Sequence, residues 1–305
     1  RAFLSLYKLV KKENFDIIHT HSSKAGLLAR LAAKLNETPV IIHTIHGFAF
    51  NDFMNVFKKN FFIYVEKILA RWTDVLITVS NLNKKKIVDL NIAEEKNIKN
   101  IYSGIDLKLF TNKRNYEFRK ELNLDVDKLL IGSVGRLSHQ KDPITMINAF
   151  DIVSKKFPDA HLVLVGDGGL KEKIIEKIDQ LKLNNRIHLT GNKNNPWDVY
   201  HSLDLFIMSS IYEGLGRSIT EALSCGVPVV CTAVEGVPEI IKDDITGILV
   251  PPKDSNKLAD GIIRSLKDME SAKIKAEEGR RFVQDNFDVN KMVEDIDALY
   301  HSFIK

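Results

Sequence analysis

An α/β fold built on two doubly wound parallel sheets follows from three features of the sequence. Short β-branched apolar runs alternate with amphipathic stretches along its length. The runs are apolar almost without interruption, as strands buried on both faces must be. The alternation lapses once, in the polar stretch at 106–116, and restarts at Leu130.

Taken in order, strands are expected at 16–20, 40–44, 75–79, 98–102, 130–134, 161–165, 186–189, 205–208, 227–230 and 246–250. Helical patterns fill most of the intervals. Over 143–157, Ile144, Ile147, Phe150, Ile152 and Val153 make an apolar stripe, and Pro143 suits a first turn. The crossovers of such sheets are right-handed. The expected domains are 1–112, which opens on a helix leading into the strand at Asp16, and 113–287. A last helix at 288–305 is expected to cross back to the first domain. The two sheets should face a cleft, with ligands beyond the carboxyl ends of their strands.

The 305 residues suffice for two ordinary cores. No run reaches the roughly 18 uncharged apolar residues of a membrane span, and no secretory signal is legible. Cys225 and Cys231 make no disulfide framework and read as buried small residues. Cytoplasm is the expected location. The net charge of +4 is unevenly spread, with 17 Lys/Arg against 10 Asp/Glu in residues 1–110 and 27 against 30 in the remainder. A basic half suits anionic membranes, phosphorylated acceptors or nucleic acid, and equally a plain solvated surface. Within it, segment 53–72 interleaves Phe57, Phe61, Phe62 and Tyr64 with Lys58, Lys59, Lys67 and Arg71. That composition suits a helix lying on a membrane surface, and equally one buried in the first domain.

Four turns are candidates for chemistry. GRLSHQKD, after the strand at 130–134, sets Arg136 and Lys141 ahead of a helix. A planar fork and a point charge there fit a diphosphate, or are two exposed surface cations. EGLGRSITE holds two carboxylates, Glu213 and Glu221, seven residues apart. Gly214 and Gly216 permit close backbone approach, and a helix starting near Gly216 offers unpaired N–H groups to an anion. One carboxylate would then reach a sugar and the other a ribose, unless they are a capping and a surface Glu. HTH and HTIHG bring His19, His21, His43 and His46 to strand ends, with no Cys or acidic partner that would mark a zinc site. GDGG at 166–169 reads as a glycine-lined turn into a helix, because it lacks the full phosphate-loop pattern. There is no H-E-x-x-H and no G-x-S-x-G.

These turns together resemble glycosyltransferase family 4. The landmarks come in that family's order: DIIHTHSSKAGLLARLAA, HTIHGFAF, the Glu66 helix, LITVS, IYSGID, GSVGRLSHQKD, LVGDG, the E-x7-E stretch, CGVPVV, EGVPEII and TGILVPP. The first two are most similar to enzymes of bacterial capsule, exopolysaccharide and O-antigen assembly. The resemblance implies two Rossmann-like domains in the GT-B arrangement. It implies a retaining transferase that moves sugar from a nucleotide-sugar, UDP-linked, to a glycan or lipid-linked saccharide, without metal, cofactor or nucleic acid. It places the diphosphate on Arg136 and Lys141, the sugar on Glu213 and the ribose on Glu221. It sets His46 near the reacting sugar, the base on Gly191 and Asn192, and the backbone N–H groups of Leu215, Gly216 and Arg217 on sugar or phosphate.

The sequence departs from the family at Glu235, where a glycine is usual, and in GLGRSIT, usually more apolar. The family's opening strand and Gly-Gly loop have no counterpart before Asp16. The resemblance therefore implies an incomplete N-terminal domain, short of about 70 residues. From that follow a competing reading, an inactive nucleotide-sugar-binding fragment or pseudoenzyme, and the expectation of weak nucleotide binding with little transfer. A sugar-nucleotide epimerase of related fold is disfavoured by the E-x7-E stretch.

Overall fold

The computed structural model describes residues 1–304. It divides into two compact units, one of Arg1–Ser103 together with the chain from Asn290 onward, the other of Gly104–Val289.

Unit 1 begins with α1 (Ala2–Glu13), β1 (Ile17–His21), α2 (Ser23–Leu35), β2 (Val40–Ile45), α3 (Val56–Ala70), β3 (Val75–Thr78), α4 (Asn81–Asp89) and β4 (Ile98–Asn100). Local chemistry fixes the helix ends. Asn14 ends α1 in the left-handed region, at φ 49°, its N–H bonded to the Val10 carbonyl. Asn55 and Ser80 accept from Phe57 N and Asn83 N at the starts of α3 and α4. The four strands are parallel and run in sequence order, β1-β2-β3-β4. Every residue of β2 and β3 is buried, which explains their unbroken apolar character.

Unit 2 holds α5 (Glu117–Glu121), β5 (Leu129–Val134), α6 (Pro143–Lys156), β6 (Ala160–Val165), α7 (Lys171–Leu181), β7 (Ile187–Gly191) and α8 (Pro196–Ser202). It continues with β8 (Leu205–Met208), α9 (Arg217–Ser224), β9 (Val229–Thr232), α10 (Val237–Ile240), β10 (Ile248–Val250), α11 (Ser255–Lys267) and α12 (Met269–Asn286). Its parallel strands are ordered β10-β9-β8-β5-β6-β7. The order reverses between β5 and β8, and a crevice opens at the carboxyl ends of strands where it does so. In α6, Pro143 takes the first turn, and Ile147, Phe150 and Val153 are fully buried against Ile131, Leu162 and Leu205. Cys225 and Cys231 are free and buried, and burial pushes both thiols up.

The last helix, α13 (Val289–His301), returns to unit 1. Leu299 is buried with Val40, Ile42, Val75, Ile77 and Ile101. The units meet in sequence at Ser103 and Gly104, not at 112 and 113 as the sequence suggested. The polar stretch after 106 misleads because it is ordered without being strand or helix. Phe110 is buried edge-on to Trp197 and Tyr200, and its carbonyl accepts from Ser224 Oγ. The two ends of unit 2 lie side by side. Ile105 N donates to Phe287 O at 2.8 Å and Val289 N to Ile105 O at 3.1 Å. A Cβ on Gly104 would lie 2.4 Å from the Val289 Cα, so only glycine fits.

His43 lies in the core of unit 1, 2% exposed. A Cβ on Gly26 would come within 2.5 Å of its ring, so α2 can lie against β2 only through a glycine. Thr20 Oγ1 donates to Ile42 O and is 2.7 Å from His43 Nδ1, which must therefore carry the proton. Burial, then the nearby Arg30 charge, lowers the His43 pKa from 6.5 to about 3. The folded imidazole stays neutral while the unfolded one charges. Stability from this residue is thus whole above pH 6.5 and is lost as pH falls toward 3. By about pH 5 the loss should reach ~2 kcal/mol, and His19, lowered to about 4 chiefly by burial, acts in the same direction. The urea midpoint of unit 1 should fall accordingly, and a flat midpoint would show that His43 is protonated in the folded state.

No helix among the described residues is long and apolar enough to cross a membrane.

Candidate active site

The carboxyl ends of β5 and β8 lead into the turns that carry Arg136, Lys141 and Glu213. The β5–α6 turn is shaped by the turn after β6. Gly135 N and Leu137 N donate to Val165 O and Asp167 O. A Cβ on Gly166 would sit 2.0 Å from Gly135 O, and one on Gly168 2.3 Å from Leu137 O. The GDGG turn thus supports the segment that bears Arg136 and Lys141, in keeping with its reading as a glycine-lined turn. Arg136 is exposed, and among the described residues its guanidinium has no hydrogen-bond or ionic partner. Asp142, at φ 44°, caps α6 through Thr145 N, and its carbonyl and that of Lys141 lie 2.8 Å from the Ser209 hydroxyl.

Lys141 Nζ is ion-paired with Glu213 Oε1, which also accepts from Ser210 Oγ at 2.7 Å. The Glu213 side chain is only 8% exposed. Its segment is stitched to the Lys141 turn, with Ile211 N donating to Gln140 O and Gln140 Nε2 to Tyr212 O. Behind it, Glu213 N donates to Glu235 Oε2 at 3.0 Å. Glu235 stands at φ 40°, the left-handed region where the family's usual glycine is at ease. Gly236 follows because a Cβ there would meet Gly214 O at 2.2 Å.

Gly214, Leu215 and Gly216 turn the chain into α9. Leu215 is buried, and Gly216, at φ 97°, is the N-cap. The cap offers no side chain to the first-turn N–H groups; Ile219 N donates to the Gly216 carbonyl, and the N–H groups of Arg217 and Ser218 stand where a helix start favours an anion. Arg217 extends into solvent, 3.7 Å from Glu221. Glu221 faces inward and accepts from Tyr200 Oη at 2.7 Å. Burial raises its pKa, against the lowering influence of that bond and of Arg217. Gly191 ends β7 at φ 67° with open space where a Cβ would stand, followed by exposed Asn192.

Unit 2 therefore joins Lys141 to Glu213 and Arg217 to Glu221 directly, with the 214–216 turn between them in sequence. His46 belongs to unit 1, just past β2, its Nε2 3.0 Å from His21 Nδ1 with the two rings stacked. His19 bonds instead to Tyr300 and Thr44. Among the described residues no three His, Cys, Asp or Glu side chains are grouped to hold a metal. Sequence reasoning missed Ser210 and Tyr200. Ser210 carried a signal, a hydroxyl three residues before a carboxylate, whereas Tyr200 lies on a separate helix and carried none.

Family models match both halves of the chain, glycosyl transferases group 1 over residues 115–282 and glycosyltransferase family 4 over residues 1–109. The chain belongs to the group 1 glycosyl transferases. An Escherichia coli UDP-Gal:alpha-D-GlcNAc-diphosphoundecaprenol alpha-1,3-galactosyltransferase is 32% identical to this glycosyltransferase, over 98% of the chain and 79% of the relative. The capsular polysaccharide biosynthesis glycosyltransferase CapM of Staphylococcus aureus is 27% identical, over 100% and 81%. Among solved structures, Anabaena HepE in complex with UDP and glucose shares the fold at a TM-score of 0.87 and 22% identity, over 98% of this glycosyltransferase and 81% of that chain. Sucrose-phosphate synthase from Thermosynechococcus elongatus shares it at 0.86 and 25% identity, over 98% and 76%. These are GT-B proteins, and the two parallel α/β sheets of this glycosyltransferase are of that class.

Proposed function

We propose that the chain transfers a sugar from a UDP-linked donor to a lipid-linked saccharide in surface polysaccharide synthesis, with retention and without a metal ion. The observation that carries this reading is the Lys141–Glu213 pair beside the uncapped start of α9, where the sheet order reverses. The name of the E. coli relative supplies the donor and acceptor class, and that of the S. aureus relative the polysaccharide context. In the reaction, the bond from the sugar's anomeric carbon to the diphosphate breaks, and the acceptor oxygen bonds to that carbon on the same face. The acceptor's proton passes to the leaving diphosphate. Arg136, Lys141 and the α9 N-terminus oppose the charge that grows on the diphosphate, as preorganised groups in place of a divalent ion. Glu213 faces the positive charge developing on the sugar, and Glu221 accepts from the ribose hydroxyls. Gly191 and Asn192 border the base. The reaction is assigned to the cytoplasmic face of the membrane.

The test is release of UDP from a panel of UDP-sugars with a polyprenyl-diphosphate saccharide as acceptor, with the product anomer read by NMR. Retained configuration and unchanged turnover in EDTA are expected. An inverted product, or EDTA inactivation reversed by Mg²⁺ or Mn²⁺, overturns the mechanism.

A further inference from the structure

Helix α3 is apolar on two opposite faces, and only one of them is covered. Phe62, Ile63, Leu69 and Ala70 turn inward, where Ile63 is buried with Ile45, Phe50, Leu76 and Ile87. Glu66 turns inward as well, to buried Arg30. Of the aromatic residues in this segment, Phe62 thus packs inside the unit. The others stand outside, Phe57 81%, Phe61 61% and Tyr64 63% exposed. Spaced at i, i+4 and i+7, they form a single stripe. Phe53, ahead of the helix, is 53% exposed. Three aromatic side chains in a row facing water forgo a large apolar burial.

The charges around the stripe name its occupant. At 100° per residue, Lys58 falls on one flank, and Lys67 and Arg71 on the other. Long cationic side chains beside an aromatic ridge reach anionic headgroups while the rings sit among the acyl chains. The N-terminal residues 1–110, with 17 Lys/Arg against 10 Asp/Glu, carry the same sign. A protein partner would need carboxylates ringed around an apolar groove, whereas an anionic bilayer presents both features over any area.

We propose that the outer face of α3, Phe57, Phe61 and Tyr64 flanked by Lys58, Lys67 and Arg71, inserts into the surface of an anionic phospholipid bilayer. This deepens the reading that the acceptor is lipid-linked. Flotation with phosphatidylcholine vesicles, with and without phosphatidylglycerol, tests it for the wild type and for Phe57→Ser/Phe61→Ser/Tyr64→Ser. The wild type should float only with phosphatidylglycerol, less so at high salt, and the triple variant about tenfold less or worse. In Phe57→Trp, the emission added at position 57 should shift to shorter wavelength on adding those vesicles. UDP release to a water-soluble saccharide should be the same in wild type and triple variant, which separates loss of docking from loss of transfer. Equal flotation of the two proteins, or no wild-type binding at low salt, overturns the proposal. So does a wild-type dimer, without lipid, that the triple substitution dissociates, since the stripe would then cover a second copy.

Discussion

Lys141→Ala should lower turnover by roughly 10²–10³-fold, because two functions depend on one ammonium group. The first is electrostatic, since under the proposed mechanism the diphosphate loses a fixed cation as its charge appears. The second is structural. Glu213 is 8% exposed and would keep only the Ser210 hydroxyl on the same oxygen, a buried carboxylate without its counter-charge. A double variant, Lys141→Ala/Glu213→Gln, separates them. It should recover part of the thermal stability that Lys141→Ala loses, and none of the rate. Steady-state kinetics with a UDP-sugar, beside thermal melts of the three proteins, make the comparison. Turnover of Lys141→Ala near the wild-type rate removes Lys141 from the chemistry.

Glu66→Ala should destabilise unit 1 by about 3–5 kcal/mol, the cost of stranding a buried charge. Its partner Arg30 is wholly buried, 2.8 Å from Glu66 Oε1, with Nε donating to the Gly26 carbonyl. Among the described residues Arg30 Nη2 is already buried without a hydrogen bond, so the guanidinium has nothing in reserve. Replacing both groups, as Arg30→Met/Glu66→Leu, should cost far less than Glu66→Ala, because no charge is then left without water or partner. Urea unfolding decides it. A single variant no worse than the double would mean that water reaches Arg30 when Glu66 is gone.

Most strands were legible to within a residue or two because their burial on both faces writes itself as continuous apolar runs. The β2 sequence VIIHTI shows how far that signal goes, since even its histidine is buried. The candidate donor groups were legible because each follows a strand of unit 2, at a place topology reserves for ligands. What was hidden depends on packing between distant segments. Nothing local in EGVPE announces that Glu235 holds the Glu213 backbone, and nothing in segment 53–72 says which aromatics turn inward. The unit boundary was misplaced for the same reason. Phe110 looks like linker until Trp197 and Tyr200 are seen to enclose it.

The side-by-side ends of unit 2 bear on how the chain is made. Unit 1 is interrupted in sequence, and its core waits for Leu299 and Tyr300 on α13. On the ribosome the early strands therefore emerge long before that helix, while the whole of unit 2 is synthesised between them. When Phe287 and Val289 close onto Ile105, the intervening chain ceases to be a long loop, and α13 is delivered to its sheet at little further entropic cost. The later unit should thus finish folding first, and the earlier one should be the longer-lived client of chaperones.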